Sequence, residues 1–327
     1  MKSTKKNTSK LMEKNKITVL REGVNSTFQD LGRGNLYHIG LPFSGAMDKR
    51  NYLIANKLVD NNLKDACLEF AYQGPLLEFF GNNIVCAITG NVSFKIIRED
   101  KSEEEGNCYE SFNLKKGDKI DILSTNKSTY GYLSIKGGIK AEKNFSSYSI
   151  NTKAEVGPNE GKKFDTNQRI YLFDNLNKFE KKKINYINSK IEFIRVLKGT
   201  NFNYFSELSQ NNFVKDEYKV SKLTDRMGMR LEGPKIKNIV NTNIKSEGLV
   251  KGVIQVPADG YPIIMLSDHG TIGGYPKIGV VISADYDKLT QLTPGSKIKF
   301  KYISLKEAEN LFKLYNIETE NILNQVK

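Results

Sequence analysis

The stretch GLVKGVIQVPADGYPIIMLSDHGTIGGYPKIGVVISAD, residues 248–285, decides the fold class. Its apolar runs at 253–257, 262–266 and 280–282 are short and are separated by polar segments rich in Gly, Pro and Asp. Runs of this kind are typical of strands, because an ordinary helix needs a longer periodic pattern. The polar segment SDHGTIGGYPKIG, residues 267–279, is therefore predicted to be a loop between two strands.

The same pattern fills most of the chain. The other β-type segments are ACLEF, PLLEFF, IVCAIT, VSFKIIRE, DKIDILS, TYGYLSIKG, IEFIRVLKG, DEYKVSK and SKIKFKYI. Gly90-Asn91 predicts a two-residue hairpin between IVCAIT and VSFKIIRE. Helices are predicted after Asp48, a candidate N-cap, up to about Asn61, and after Ser304, where Glu307 completes a capping box. The sequence predicts a mainly β protein with a few short helices.

An internal echo suggests two similar halves. TVLREG near residue 19 is repeated as RVLKGT near residue 196, and LKKGDKIDI from Leu114 as LTPGSKIKF from Leu292. A lysine-rich segment, 178–190, lies between the halves and has the composition of a linker. We therefore predict a flexible basic tail over 1–16, a first domain over 17–186, a second over 187–318 and a C-terminal tail over 319–327.

Composition excludes several classes of function. The net charge of +13 is concentrated in lysines of the N-terminal segment and the linker, which argues against nucleic-acid binding. Three cysteines without a CxxC pair and only two histidines make a zinc site improbable. The chain shows no signal-peptide pattern and no long apolar run. We expect a cytoplasmic protein with free thiols that binds neither nucleic acid nor membrane.

Common catalytic signatures are missing from the chain. There is no GxSxG, HExxH or GxGxxG motif, VGPNEGKKF over 156–164 fits a surface turn better than a phosphate loop, and Lys49 lacks the surroundings of a biotin acceptor. Polar residues instead gather in two glycine-rich regions, 29–56 and 225–277. Taken singly, each could be a cap or a solvated surface group, but such clusters at strand ends are where binding sites concentrate.

Several longer motifs resemble one family. QDLGR, SGAMD, DRMGMRLEGP, QVPADGYPI and TIGGYP occur in an order similar to that of the C-subunit family of bacterial 5-oxoprolinase, also called allophanate hydrolase subunit 2 or biotin-dependent carboxyltransferase family. The resemblance covers most of residues 17–305. It implies two tandem cyclophilin-like β-barrel domains and a complex with A and B subunits, of which the B subunit is kinase-inhibitor-like. The complex would open 5-oxoproline to L-glutamate with ATP, and with Mg shared with the partner subunits.

The resemblance places a site for a lactam or amide in the two polar regions. Arg226, Glu247 and Asp268 are candidate catalytic residues, with the arginine facing developing charge and the carboxylates acting as base or nucleotide contacts. The candidate substrate-binding residues are Asp30, Arg33, Ser44, Asp48, Asn56, Gln255, Thr271, Gly273, Gly274 and Tyr275. Gly273-Gly274 is expected to supply positive φ or close approach to a ligand. His269 is interpreted as an incidental surface residue.

One loop departs from the family pattern, and two other functions stay open. In the loop 146–162, Tyr148 stands where relatives have an arginine, which leaves this member's specificity open. A second function is carboxyl transfer from a biotin carrier to a urea-like or allophanate-like amide, with no covalently bound biotin on this chain. A third is a binding protein that sequesters its B-subunit partner and so relieves inhibition of a histidine kinase.

Overall fold

The protein is described here by a computed structural model that covers residues 15–81, 84–173, 179–186, 192–240 and 243–327. Short strands dominate, as the alternating apolar pattern predicts, and the mainly β fold class with few helices is confirmed. The elements of the first half are β1 Lys16–Arg21, β2 Thr27–Gln29, α1 Lys49–Leu58, β3 Cys67–Ala71, β4 Leu76–Phe80, β5 Ile84–Thr89, β6 Val92–Ile97, β7 Glu103–Glu105, β8 Ser111–Leu114, β9 Lys119–Thr125, β10 Tyr130–Ile135 and β11 Arg169–Tyr171.

The second half also consists mainly of short strands and contains more helix than the first. Its elements are β12 Ile194–Lys198, α2 Glu207–Lys215, β13 Tyr218–Val220, β14 Gly228–Glu232, β15 Glu247–Gly248, β16 Val253–Gln255, β17 Ile263–Met265, β18 Ile272–Gly273, β19 Lys277–Val281, α3 Tyr286–Thr290, β20 Lys297–Ile298, β21 Phe300–Tyr302 and α4 Leu305–Asn324. Single turns of 3₁₀ helix occur at Tyr37–Ile39, Asn159–Gly161, Phe202–Tyr204 and Ser283–Asp285.

Two antiparallel sheets pack face to face in the first half. Their strand orders are β11-β1-β4-β9-β6-β7 and β2-β3-β10-β5-β8. In β6 the side chains alternate, so that Val92, Phe94 and Ile96 point inward, and they join Phe70 and Leu133 of the other sheet in one apolar cluster. The period of two therefore places one face of this strand in the core.

One curved, barrel-like sheet forms most of the second half, with the order β20-β13-β14-β17-β16-β19-β12-β21. All its pairs are antiparallel except β12 with β21. A small ladder of β15 and β18 lies beside it. Every strand pair among the described residues joins strands of the same half, in agreement with the internal echo in the sequence.

Helix α1 lies where the two halves meet. Its buried residues Tyr52 and Ile54 belong to one apolar cluster that also contains Ile254 and Leu289 of the second half. Gln291 adds polar contacts across this junction, because its side chain accepts from the backbone N–H of Tyr130 at 2.9 Å and donates to the Asp48 carboxylate at 2.8 Å. The halves therefore share a core.

Two predictions about local structure are confirmed. The Asp48 carboxylate caps α1 by accepting from the backbone N–H of Asn51 at 3.0 Å. The Ser304 hydroxyl caps α4 by accepting from the backbone N–H of Glu307 at 3.2 Å. Both caps satisfy amides that have no partner within the helix.

Three other predictions need correction. The hairpin at Gly90-Asn91 is wrong, because β5 and β6 belong to different sheets and the turn, with Gly90 at φ 108°, carries the chain from one to the other. Residues 319–327 are no tail, because α4 continues to Asn324 and buries Leu323. Strand β1 already begins at Lys16, while the rest of the predicted basic tail, 1–14, and the boundary segment 187–191 lie outside the described residues.

Candidate functional site

Arg226 is the centre of a buried polar cluster at the junction of the halves. Its Nε donates to the Asp268 carboxylate at 2.7 Å and its Nη2 to the other oxygen at 3.2 Å. Nη2 also donates to the Gly45 carbonyl at 2.8 Å and to Gln29 Oε1 at 3.3 Å, and Nη1 bonds Glu69. Burial alone would lower the Arg226 pKa, but the two carboxylates more than offset this effect and raise it. Arg226 is therefore held permanently charged.

Glu69 of β3 extends the cluster into the first half. One carboxylate oxygen faces Arg226, while the other accepts from the Met47 backbone N–H and the Tyr132 hydroxyl, each at 2.8 Å. The same hydroxyl accepts from the Asp48 backbone N–H at 2.7 Å. These bonds tie the start of α1 to the loop that carries Asp268.

Asp30 and Arg33 organise a neighbouring loop. The Asp30 carboxylate accepts from the Ser147 and Ser149 hydroxyls at 2.7 and 2.6 Å and from the Tyr148 backbone N–H at 2.7 Å. The loop that departs from the family pattern is thus fixed by Asp30. Arg33 donates to the Ser44 hydroxyl at 3.2 Å and to the Ser149 carbonyl.

The Arg33 side chain is unusual for a buried cation. It is 2% exposed, none of the ion pairs among the described residues includes it, and its Nε has no partner there. Burial lowers its pKa, against the opposing charges of Asp30 and Asp268. Ser44, which accepts its bond, has φ 55°, a conformation that residues other than Gly seldom adopt.

Asp48 and Asn56 occupy opposite ends of α1. Burial and the nearby Asp287 carboxylate raise the pKa of Asp48 to about 7. Asn56 donates to the Asp65 carbonyl at 2.9 Å and accepts from the Ser134 hydroxyl at 2.8 Å. Its contacts fix the end of the helix, and no bond among the described residues joins it to the Arg226 cluster.

Glu247 belongs to a second polar cluster, around the TIGGYP loop. Lys277 Nζ lies 2.7 Å from its carboxylate and lowers the Glu247 pKa, and Asn201 donates to it at 3.4 Å. Gln255 donates to the Tyr275 carbonyl at 3.3 Å. In the part of the chain that the structure describes, no bond or ion pair links this cluster to Arg226, so the three candidate catalytic residues fall in two places.

The glycines of the TIGGYP loop matter because they have no side chain, and not because of a special backbone φ. Neither Gly273 nor Gly274 has a positive φ, so that expected role is wrong, while the other, close approach to a ligand, stays a prediction. A Cβ on Gly273 would lie 2.6 Å from Gln255 Nε2, and one on Gly274 would lie 3.2 Å from the Ile244 carbonyl oxygen. The Gly273 position is therefore small because Gln255 fills the adjacent space. Thr271 is buried, and its carbonyl accepts from the Leu249 N–H at 2.9 Å.

His269 is 1% exposed, so its interpretation as a surface residue is wrong. Its Nδ1 lies 2.6 Å from the Gly270 carbonyl oxygen and its Nε2 3.2 Å from the Tyr37 hydroxyl. Burial lowers its pKa and keeps the ring neutral near neutral pH.

A pocket of about 290 Å³ opens onto the Arg226 cluster. Arg226 and Asp268 line it together with Tyr72, Tyr130 and Lys153, so both halves contribute. The Arg226 donors, however, already face two carboxylates, a carbonyl and an amide oxygen. The phosphates of a nucleotide do not fit this guanidinium. In the described part of the chain no group of three or more His, Cys, Asp and Glu could hold a metal ion.

The sequence did not predict that Glu69 and Tyr37 belong to the polar clusters around Arg226 and His269. Glu69 stands in the apolar strand CLEFA, where a charged residue without an exposed face signals a buried partner. The position of Glu69 in this strand could therefore have predicted a buried ionic contact. Tyr37 had no such signal, since its role depends on the distant His269. Among the described residues no helix is both long and apolar enough to cross a membrane.

Comparisons with known proteins agree with this architecture. The family model described as carboxyltransferase domain, subdomain A and B, matches residues 39–302. The chain is 30% identical to the C subunit of 5-oxoprolinase from Haemophilus influenzae, covering 94% of this chain and 97% of the relative. It is also 30% identical to the C subunit of 5-oxoprolinase from Escherichia coli, covering 89% and 93%. The crystal structure of the K. lactis urea amidolyase superposes with a TM-score of 0.84 at 27% identity, covering 94% of this chain but 20% of that one.

Proposed function

The chain belongs to the carboxyltransferase-domain family that includes the C subunit of 5-oxoprolinase, and from this premise we propose that it is the C subunit of an ATP-dependent 5-oxoprolinase. The observation that carries the proposal is the near end-to-end correspondence with two proteins of that name. In this proposal the chain helps convert 5-oxoproline to L-glutamate and is active only with the A and B subunits, in the cytoplasm.

The chemistry explains the need for several subunits. A lactam is a poor electrophile because resonance stabilises its carbonyl, and phosphorylation of the amide oxygen turns that oxygen into a leaving group. The chain offers buried, preorganised polar groups at the junction of its halves, which hold the adjoining loops in the fixed geometry that binding of an amide requires. Since the donors of Arg226 are already engaged, we assign ATP and its Mg to the partner subunits, and we assign Arg226 the role of positioning Asp268 and the loop after it.

Reconstitution tests the proposal. The chain is purified together with co-expressed A and B subunits, and ADP and L-glutamate are followed after addition of 5-oxoproline. We expect equal amounts of both products from the full complex and none when this chain is omitted. A folded, complete complex that makes no glutamate from 5-oxoproline would refute the assignment.

Carboxyl transfer is the second candidate. It is favoured by the family model's description and by the superposition on the urea amidolyase. The chain spans only a fifth of that protein, so a biotin carrier and a carboxylating component would have to be separate. Carboxylation of urea from bicarbonate that needs this chain, with an added biotin carrier and an added biotin carboxylase, would favour this function over the first.

A further inference from the structure

A second cavity lies beside the Asp268–His269 segment and shares no lining residue with the Arg226 pocket. It is a groove of about 520 Å³, largely apolar, with Phe43 and Phe312 among its walls, and its polar lining groups are Tyr37, Lys251, Ser283 and Glu309. Asp268 lines the first pocket, whereas the next residue, His269, bonds Tyr37 of the groove. Of two adjacent residues, one therefore lines the first cavity and the other contacts a lining residue of the second.

The hydrogen bonds of His269 define its tautomer. The Gly270 carbonyl oxygen, 2.6 Å from Nδ1, can only accept, so Nδ1 carries the proton. In the neutral ring Nε2 is then an acceptor, and the Tyr37 hydroxyl donates to it at 3.2 Å. The Tyr37 ring is held in turn by an edge contact with Phe43, with centroids 5.6 Å apart. The lone pairs of the Tyr37 oxygen are left for a ligand in the groove.

We propose that the amide substrate binds in this groove and that Tyr37 accepts its N–H proton while passing the hydroxyl proton to His269. Tyr37 is then a catalytic residue. His269 positions the Tyr37 hydroxyl and accepts its proton. The inference rests on the proposed function and places its reacting group away from Arg226, whose donors are already engaged.

The proton transfer balances with activation of the lactam. The amide oxygen forms a bond to the phosphoryl group of the nucleoside triphosphate, and the diphosphate leaves with the bonding electron pair. The amide N–H bond breaks as its proton moves to the Tyr37 oxygen and the Tyr37 proton moves to Nε2 of His269. The amide thus ends as an imidate phosphate whose nitrogen is uncharged, and the Asp268 carboxylate favours the positive charge on His269.

The charged groups around the relay are Asp268 beside His269, and Lys251 and Glu309 in the lining of the groove. Asp268 favours the protonated ring of His269, whereas the Lys251 ammonium disfavours it, which favours release of the proton from the ring after the reaction. Lys251 lies 4.2 Å from the ring centroid of Tyr286 and lines the groove, so it can meet the substrate's carboxylate. The ligand class is therefore a small amide that carries an anionic group.

The activity test uses the full complex and three variants. Tyr37→Phe keeps the ring and removes the hydroxyl, and His269→Asn keeps a donor toward Gly270 but loses the acceptor at Nε2. We expect each to lower kcat by about 100-fold or more with KM changed by only a few fold. Wild type should lose activity as the pH falls through the His269 pKa, and His269→Asn should lose that limb. The control is His38→Asn, which changes the exposed histidine next to Tyr37 and should leave kcat unchanged.

A binding test separates this inference from the proposed function. The protein has only two histidines, so imidazole ¹⁵N spectra of the full chain report on His269 with His38 as internal control. Addition of 5-oxoproline should shift His269 and leave His38 unmoved, and Tyr37→Phe should abolish the shift. A wild-type complex without activity refutes the function alone. Full activity of Tyr37→Phe, or no His269 response at saturating 5-oxoproline, overturns the inference.

Discussion

Arg226 and Asp268 form a buried two-point ion pair, with Nε to Oδ2 at 2.7 Å and Nη2 to Oδ1 at 3.2 Å, and the Asp268 N–H returns a bond to the Arg226 carbonyl at 2.9 Å. Side-chain and backbone hydrogen bonds therefore hold the segment around Arg226 against the segment around Asp268. Because the Glu69 carboxylate shares the guanidinium, the pair also joins the two halves of the chain.

Arg226→Met should destabilise the protein strongly. It leaves Glu69 and Asp268 buried without a counter-charge, a defect that typically costs about 3–5 kcal/mol. Urea unfolding at neutral pH measures the loss. The matched control is Lys119→Met, which breaks a half-exposed pair with Glu78 and should cost at most about 1 kcal/mol. Equal losses in the two variants would contradict the structural role of Arg226.

The raised pKa of Asp48 predicts a pH dependence of stability. Its folded-state pKa is about 7, against an ordinary 3.8, so the folded protein binds a proton that the unfolded chain has released. This contribution is complete below about pH 4 and is lost as the pH rises toward 7, with a slope of at most about 1.4 kcal/mol per pH unit. Asp48→Asn should flatten that slope in urea unfolding between pH 4 and 8. Asp259→Asn, at an exposed turn, serves as control and should keep it.

Helix α4 should hold the halves together through Tyr315. Its hydroxyl donates to Asp287, whose carboxylate also accepts from the backbone N–H groups of Lys49 and Arg50 at the start of α1. Tyr315→Phe should lower the free energy of unfolding by about 1–3 kcal/mol, since a bond to a buried charge is lost. Tyr204→Phe, on a partly exposed ring, should change it by less than about 0.5 kcal/mol. Thermal and urea unfolding of both variants measure these changes in the free energy of unfolding.

Gly273→Ala should disturb the TIGGYP loop. The new methyl group would meet Gln255 at 2.6 Å and Leu249 at 2.8 Å, and overpacking of this kind typically costs about 1–3 kcal/mol. Gly248→Ala, on the paired strand, meets nothing within 4 Å and should be nearly neutral. Complex activity and urea unfolding are measured for both. A silent Gly273→Ala would show that Gln255 moves aside freely.

Residue types alone predicted where polar side chains gather, and the family resemblance supplied the candidate site residues, whose roles stay predictions. The two polar regions were predicted as binding loops, and Asp30, Arg33, Ser44, Arg226 and Asp268 do lie together in one buried region. The sequence did not indicate that Glu247 lies apart from Arg226, in a cluster with Lys277. Residues that are close in the sequence of one polar region can face different ends of the strands. Asn56 shows a similar limit, since an amide buried at a helix end satisfies backbone groups as well as ligands do, and its role as a substrate contact stays a prediction.

Local pattern was sufficient for the fold class, the two caps at Asp48 and Ser304, and the position of the polar loops. Periodicity, cap residues and glycine placement act over a few neighbouring residues, so the chain displays them directly. Packing alone decided that Arg226 reaches Glu69, 157 positions away, that β5 and β6 separate at Gly90, and that His269 turns inward to Tyr37. Such contacts depend on how two sheets and a shared helix bury their apolar faces together, and no short stretch of the chain contains that information.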